Sequence, residues 1–109
     1  MHLQPIYLLD EEEILERAVT IDEFSKSSWL YKKPGVYFLI DDNPNSEDAI
    51  IFYIGSTGRS IRKRVKEHLH AGLLISGVYG QELPDEHIYR AMEILYIGEL
   101  APYGNKLYV

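Results

Sequence analysis

Gly35-Val36-Tyr37-Phe38-Leu39-Ile40, followed by Ala49-Ile50-Ile51-Phe52-Tyr53-Ile54-Gly55, decides how this chain folds. Both runs are apolar, rich in β-branched and aromatic residues, and short enough to be strands. Between them Asp41 to Asp48 contains Asn43-Pro44-Asn45-Ser46, a cluster of turn formers, so the two strands pair as an antiparallel hairpin with a long connection. A glycine in each tyrosine motif, Gly35 and Gly55, admits close approach of backbone or ligand. Working outward, Arg59, Arg62, Lys63, Arg64 and Lys66 follow the hairpin directly. Tyrosines beside clustered cations suggest a phosphate site.

After the hairpin, Ser60 caps a helix predicted to run to about Ala71, with Gly72 as its stop. Ile61, Val65 and Leu69 form its buried stripe. Arg64 and His68 share one flank of that stripe and Arg62 and Lys66 the other, while Lys63 faces solvent. Helix geometry leaves both flanks open as the one that aims a cation at the sheet. Pro84-Asp85-Glu86 starts a second helix whose Ile88–Leu100 stretch is apolar on nearly every side and is expected to be largely buried, with Gly98 and Pro102 helping to end it. Leu73 to Gly80 reads either as a short strand or as irregular chain, and Lys106 to Val109 as a short terminal strand.

Ahead of the hairpin, Asp10 and three glutamates open a helix expected to end near Val19, and a helical turn is expected over Ile21 to Phe24. Trp29 to Tyr31 is expected to pack under the sheet. Residues 1–33 therefore read as a helical extension packed on a domain spanning 34–109. The expected class is α+β, a small antiparallel sheet of about three strands flanked by helices.

Composition sets the outer limits. A chain of 109 residues is one domain, able to bury roughly two-thirds of its unfolded surface. No apolar run approaches the ~20 residues of a membrane span, and the amino terminus lacks a basic n-region, so neither a membrane nor secretion is expected. The absence of cysteine excludes thiolate metal sites and suits a cytoplasmic location. The net charge of −6 argues against a nucleic-acid partner until its distribution is considered, because five of the eleven basic residues lie between positions 59 and 66. So few cations elsewhere imply weak non-specific DNA affinity.

Glu93 lies mid-helix among Tyr89, Tyr96 and Ile97. A carboxylate there needs a cation such as Arg90, a rim position, a proton, or a metal. One carboxylate with waters and substrate phosphate is a usual setting for Mg²⁺. His68 and His70, two apart on a helix, splay apart and make no rival site.

Together these residues resemble the GIY-YIG nuclease family. Gly35-Val36-Tyr37 is similar to its first motif, with valine for isoleucine, and Tyr53-Ile54-Gly55 matches the second. Arg64 and His68 look like the family's arginine and histidine, which favours their flank of the helix. Glu93 looks like its glutamate, followed in order by Pro102 and Asn105. The resemblance covers about residues 34–105. It departs in the longer inter-motif loop, in one extra residue between Gly55 and Arg64, and in Ser56 where some members carry lysine.

The resemblance implies a GIY-YIG endonuclease-like fold and a metal-dependent hydrolase acting on DNA phosphodiester bonds. Glu93 would hold Mg²⁺ or Mn²⁺, and Arg64 a phosphate oxygen. Tyr37 would deprotonate or orient water, with nearby cations favouring its phenolate, and Tyr53 would position water or phosphate. His68 would relay a proton, and activity would rise with pH as the phenol or a coupled group deprotonates. Arg59, Arg62, Lys63 and Lys66 would contact substrate, and Gly35, Gly55 and Asn105 would support the site. A homodimer or protein partner would add DNA affinity. The competing expectation is a non-catalytic module that keeps the fold to bind nucleic acid or protein.

Overall fold

The continuous apolar run that begins at Gly35 becomes the central strand of the sheet. The computed structural model describes residues 8–107. Its elements run α1 (Glu11–Arg17), β1 (Val19–Thr20), α2 (Ile21–Lys26), β2 (Gly35–Asp41), β3 (Ile50–Thr57), α3 (Ile61–His70), β4 (Gly77–Glu82), α4 (Glu86–Leu100) and α5 (Tyr103–Leu107). The sheet is antiparallel with order β1-β4-β2-β3. Strand β2, paired on both edges and covered on both faces, is buried from Gly35 to Ile40. That is why its sequence shows no polar alternation.

Alternation along β2 still sorts the core into two layers. Val36, Phe38 and Ile40 face α1 and α4, where they meet Ile14, Met92 and Tyr96. Tyr37 and Leu39 face α2 and α3, where they meet Phe24, Ile61 and Val65. The hairpin register runs from Gly35↔Thr57 to Asp41↔Ile50 and slips between Leu39 and Ile40. Leu39 pairs with Tyr53 and Ile40 with Ile51, leaving Phe52 as the extra residue of a bulge. Phe52 and Tyr53 consequently both join the α3 layer.

Helix ends follow their caps. Asp10, Ser60 and Asp85 each accept backbone N–H groups at the starts of α1, α3 and α4, and Thr20 does the same for α2. Helix α4 runs through Gly98 and stops at Ala101, which takes the left-handed conformation at φ 45°.

Several expectations need correction. Among the described residues the sheet has four strands, because α1 ends at Arg17 and Val19–Thr20 adds an edge strand beside β4. Trp29 does not pack under the sheet; it is 70% exposed, and Tyr31 alone of that segment is buried. Helix α4 is not buried all round, since Ile94 and Leu95 project into solvent at 69% and 52% exposure. Lys106 and Leu107 belong to helix α5 rather than a strand, while Tyr108 and Val109 lie outside the described residues. Asn105 explains the helix: its amide clamps the edge strand by donating to Ile54 O and accepting from Ile54 N, both at 2.8 Å. A terminal strand would have competed for those same edge groups.

Arg62 holds the N-terminal segment against α3. Only 8% exposed, its guanidinium lies over the Phe24 ring at 4.5 Å and donates to the carbonyls of Phe24 and Ser27, each at 2.9 Å. Backbone bonds from Ile61 N to Lys33 O and from Arg62 N to Tyr31 O complete the join. Arg62→Ala is expected to destabilise the fold by about 3 kcal/mol, because it strips buried carbonyls of a charged donor. Lys63→Ala should change stability by less than about 0.5 kcal/mol. Urea melts of the two variants check this, and equal midpoints would refute the role of Arg62.

Candidate active site

Tyr37 and Gly55 are cross-strand partners, and the missing side chain of Gly55 is what makes room for the phenol. A Cβ at Gly55 would run into the Tyr37 hydroxyl. At Gly35, φ is 153° and a Cβ would collide with the Gln81 carbonyl, so the motif's glycine lets β4 pair closely with β2. Tyr37 is 1% exposed, and its Oη lies 3.0 Å from Nε2 of His68. Tyr53 closes the group: its ring stacks on Tyr37 at 6.2 Å and meets His68 edge-on at 5.4 Å.

The N-cap at Ser60 and the buried pair Ile61 and Val65 set the rotation of α3, which turns Arg64 and His68 toward the sheet. Tyr53, Arg64 and His68 line a cleft of about 390 Å³ whose floor continues to Leu73. The two flanks left open by helix geometry are thus distinguished. Arg64 and His68 border the tyrosine cleft, whereas Lys63 and Lys66 line a separate groove with Lys32 and Ser60. A larger depression beside α1 is lined by Asp10, Glu11, Glu12, Glu16 and Glu47, a surface that repels phosphate.

Burial pushes the Tyr37 phenol well above its ordinary range, and neighbouring Tyr53 adds to the rise. Arg64 pulls the other way and is outweighed. A base role requires nearby cations to favour the phenolate; Arg64 acts in that direction, but burial outweighs it and Tyr37 rests as a neutral phenol. Burial, then the charge of Arg64, lowers His68 below the usual imidazole value. A neutral imidazole with a bare Nε2 can accept the phenol's proton. This arrangement suits a two-step proton path, from a donor in the cleft to Tyr37 and from Tyr37 to His68.

Glu67 is a member of this group that inspection of the sequence missed. Its carboxylate bonds Arg59 at 2.6 Å and Arg64 at 3.5 Å. The Arg59 hydrogen bond comes first among the causes holding it below the usual carboxylate range. The i,i+3 spacing from Arg64 was legible, but the contact with Arg59 required the 58–60 turn to fold back. Lys32 was missed because it reaches α3 only through the stapled 27–33 segment.

Glu93 stands apart. Helix α4 packs on the Val36–Phe38 face, the opposite layer from Tyr37 and α3, and Glu93 does not line the cleft. It is half-buried rather than enclosed. Arg90 is not its partner, since Arg90 bonds Glu86 at 2.9 Å. Among the described residues no ion pair or hydrogen bond holds the Glu93 carboxylate. None of them forms a cluster of three or more potential metal ligands. A single hard oxygen donor without a competing cation fits Mg²⁺ or Mn²⁺ in donor type, for an ion otherwise held by water and phosphate.

No helix among the described residues is long and apolar enough to cross a membrane. Compared with known proteins, the chain matches no family model, no curated protein and no solved structure.

Proposed function

We propose that the protein hydrolyses DNA phosphodiester bonds with the help of a divalent metal, as a cytoplasmic endonuclease of the GIY-YIG type. The observation that carries this reading is the Tyr37–His68 hydrogen bond beside Arg64 and Tyr53 at an open cleft. A buried phenol bonded to an imidazole that lines an open cleft beside an arginine gathers groups suited to proton transfer and phosphate binding.

In this reading Arg64 binds a phosphate oxygen through its planar guanidinium, releasing its long contact to Glu67. Water in the cleft passes a proton to Tyr37 Oη as Tyr37 passes its own to His68 Nε2, so the phenolate never accumulates. Tyr53 orients water or phosphate. Glu93 would hold the metal, whose chemistry is to stabilise charge on the phosphate and the leaving oxygen. Because Glu93 lies outside the cleft lining, the substrate phosphate would have to bridge from Arg64 to that ion. Asn105 braces the edge strand that carries Tyr53 and Gly55. Arg59 is tied to Glu67, and Lys63 and Lys66 supply a diffuse positive surface on the other flank.

The second reading, a module that binds DNA or protein without cleaving, is favoured by the position of Glu93 outside the cleft lining. Arg64→Ala against Lys63→Ala separates the readings. Removing the cleft arginine is expected to cost about 10²-fold in cleavage, against less than about three-fold for its neighbour. Equal losses would reduce the basic run to a phosphate-attracting patch.

A further inference from the structure

The outer face of α4 fits one occupant by shape and charge. Ala91, Ile94, Leu95 and Gly98 lie exposed along one stripe, opposite the buried Tyr89, Met92 and Tyr96. Among the described residues nothing lies within 4 Å of a Cβ built at Gly98, so the stripe is open at that point. Arg90 and Glu99, both exposed, flank it at equal distances on either side of the Ile94–Leu95 midpoint and on opposite edges.

We infer that this face is a two-fold interface between two copies of the chain, with α4 packed antiparallel on α4. A two-fold axis through the Ile94–Leu95 midpoint gathers those side chains of both copies at the centre and sets the small Ala91 near Gly98 of the second copy. At the common helix-crossing angle of about −50°, Arg90 of each copy swings onto Glu99 of the other. With the opposite crossing hand the charges diverge. The pairing thus selects one geometry, and Arg90 exchanges its exposed contact with Glu86 for it. Four small or aliphatic residues make a minor apolar centre, so the dimer belongs to the weak class that buries less than about 1,200 Å².

Sedimentation equilibrium on the full chain, from about 10 µM to about 1 mM, tests the interface without reference to any enzymatic activity. The parent is expected to show a monomer–dimer equilibrium. Arg90→Glu and Glu99→Arg should each weaken it at least about ten-fold by placing like charges together. The double variant should return to within about three-fold of the parent. An equimolar mixture of the two single variants should form heterodimers. A parent that is monomeric at the top concentration, single variants that associate normally, or a double variant that fails to recover would each overturn the interface. The first outcome would leave the face to a different protein. All positions altered are exposed, and circular dichroism should show an unchanged fold.

Discussion

Tyr37→Phe is expected to lower the rate of DNA cleavage by about 10²- to 10⁴-fold, the range for loss of a positioned proton carrier. The ring and its packing against Gly55 and Tyr53 survive, so the stability cost should be about 1 kcal/mol, that of one hydrogen bond. The pH profile adds a second readout. Burial, then Arg64, depresses His68 relative to an exposed histidine, so the competent neutral form persists below pH ~6.5. Activity should therefore be level at neutral pH and fall in acid, through the lowered pKa of His68. Stability follows the same sign: the unfolded chain binds the proton more readily, so the contribution of His68 fades as pH drops below ~6.5. Parent-like turnover by Tyr37→Phe across that range would make the tyrosine structural.

Glu93→Gln is expected to reduce metal-dependent cleavage by at least about 10³-fold, since it removes the one protein carboxylate assigned to the ion. The half-buried carboxylate makes no ion pair or hydrogen bond among the described residues, so its neutral isostere should leave stability within about 0.5 kcal/mol of the parent. Binding of Mn²⁺ followed by electron paramagnetic resonance gives a readout separate from turnover. The parent should bind and the variant should not. If both bind alike and both cleave, the ion is held elsewhere.

The hairpin, both long helices and their caps were legible because each depends on neighbours in sequence. Ser60 and Asp85 need only their own first turns, and the stripe of Ile61 and Val65 puts Arg64 on one of two flanks without choosing between them. What escaped depends on long-range competition. Thr20 pairs with Gly77 across more than fifty positions, so a two-residue strand carried no local signal. The apolar character of Ile94 and Leu95 read as burial, although a helix lying on one sheet face buries only one side. The Tyr37 environment was legible only in part for a related reason: cationic neighbours are visible in sequence, whereas the depth that outweighs them comes from strands and a helix enclosing the ring.

The fate of Arg62 shows the limit most clearly. By spacing it was as good a phosphate ligand as Arg64, because both flank the same stripe. Only the fold shows its guanidinium committed to the carbonyls of Phe24 and Ser27. That leaves fewer cations available to a phosphate backbone than the run of five implied.

The central claim is that the Tyr53–Arg64–His68 cleft, with Tyr37 buried behind His68, hydrolyses phosphodiester bonds. Incubating the full chain with nicked, branched and linear DNA, with Mg²⁺ or with chelator, tests it most directly. The account predicts Mg²⁺-dependent strand cleavage of at least one of these DNAs, abolished by chelator and by Arg64→Ala. DNA that is bound but remains intact under every metal condition would contradict it and identify the fold as a binding module.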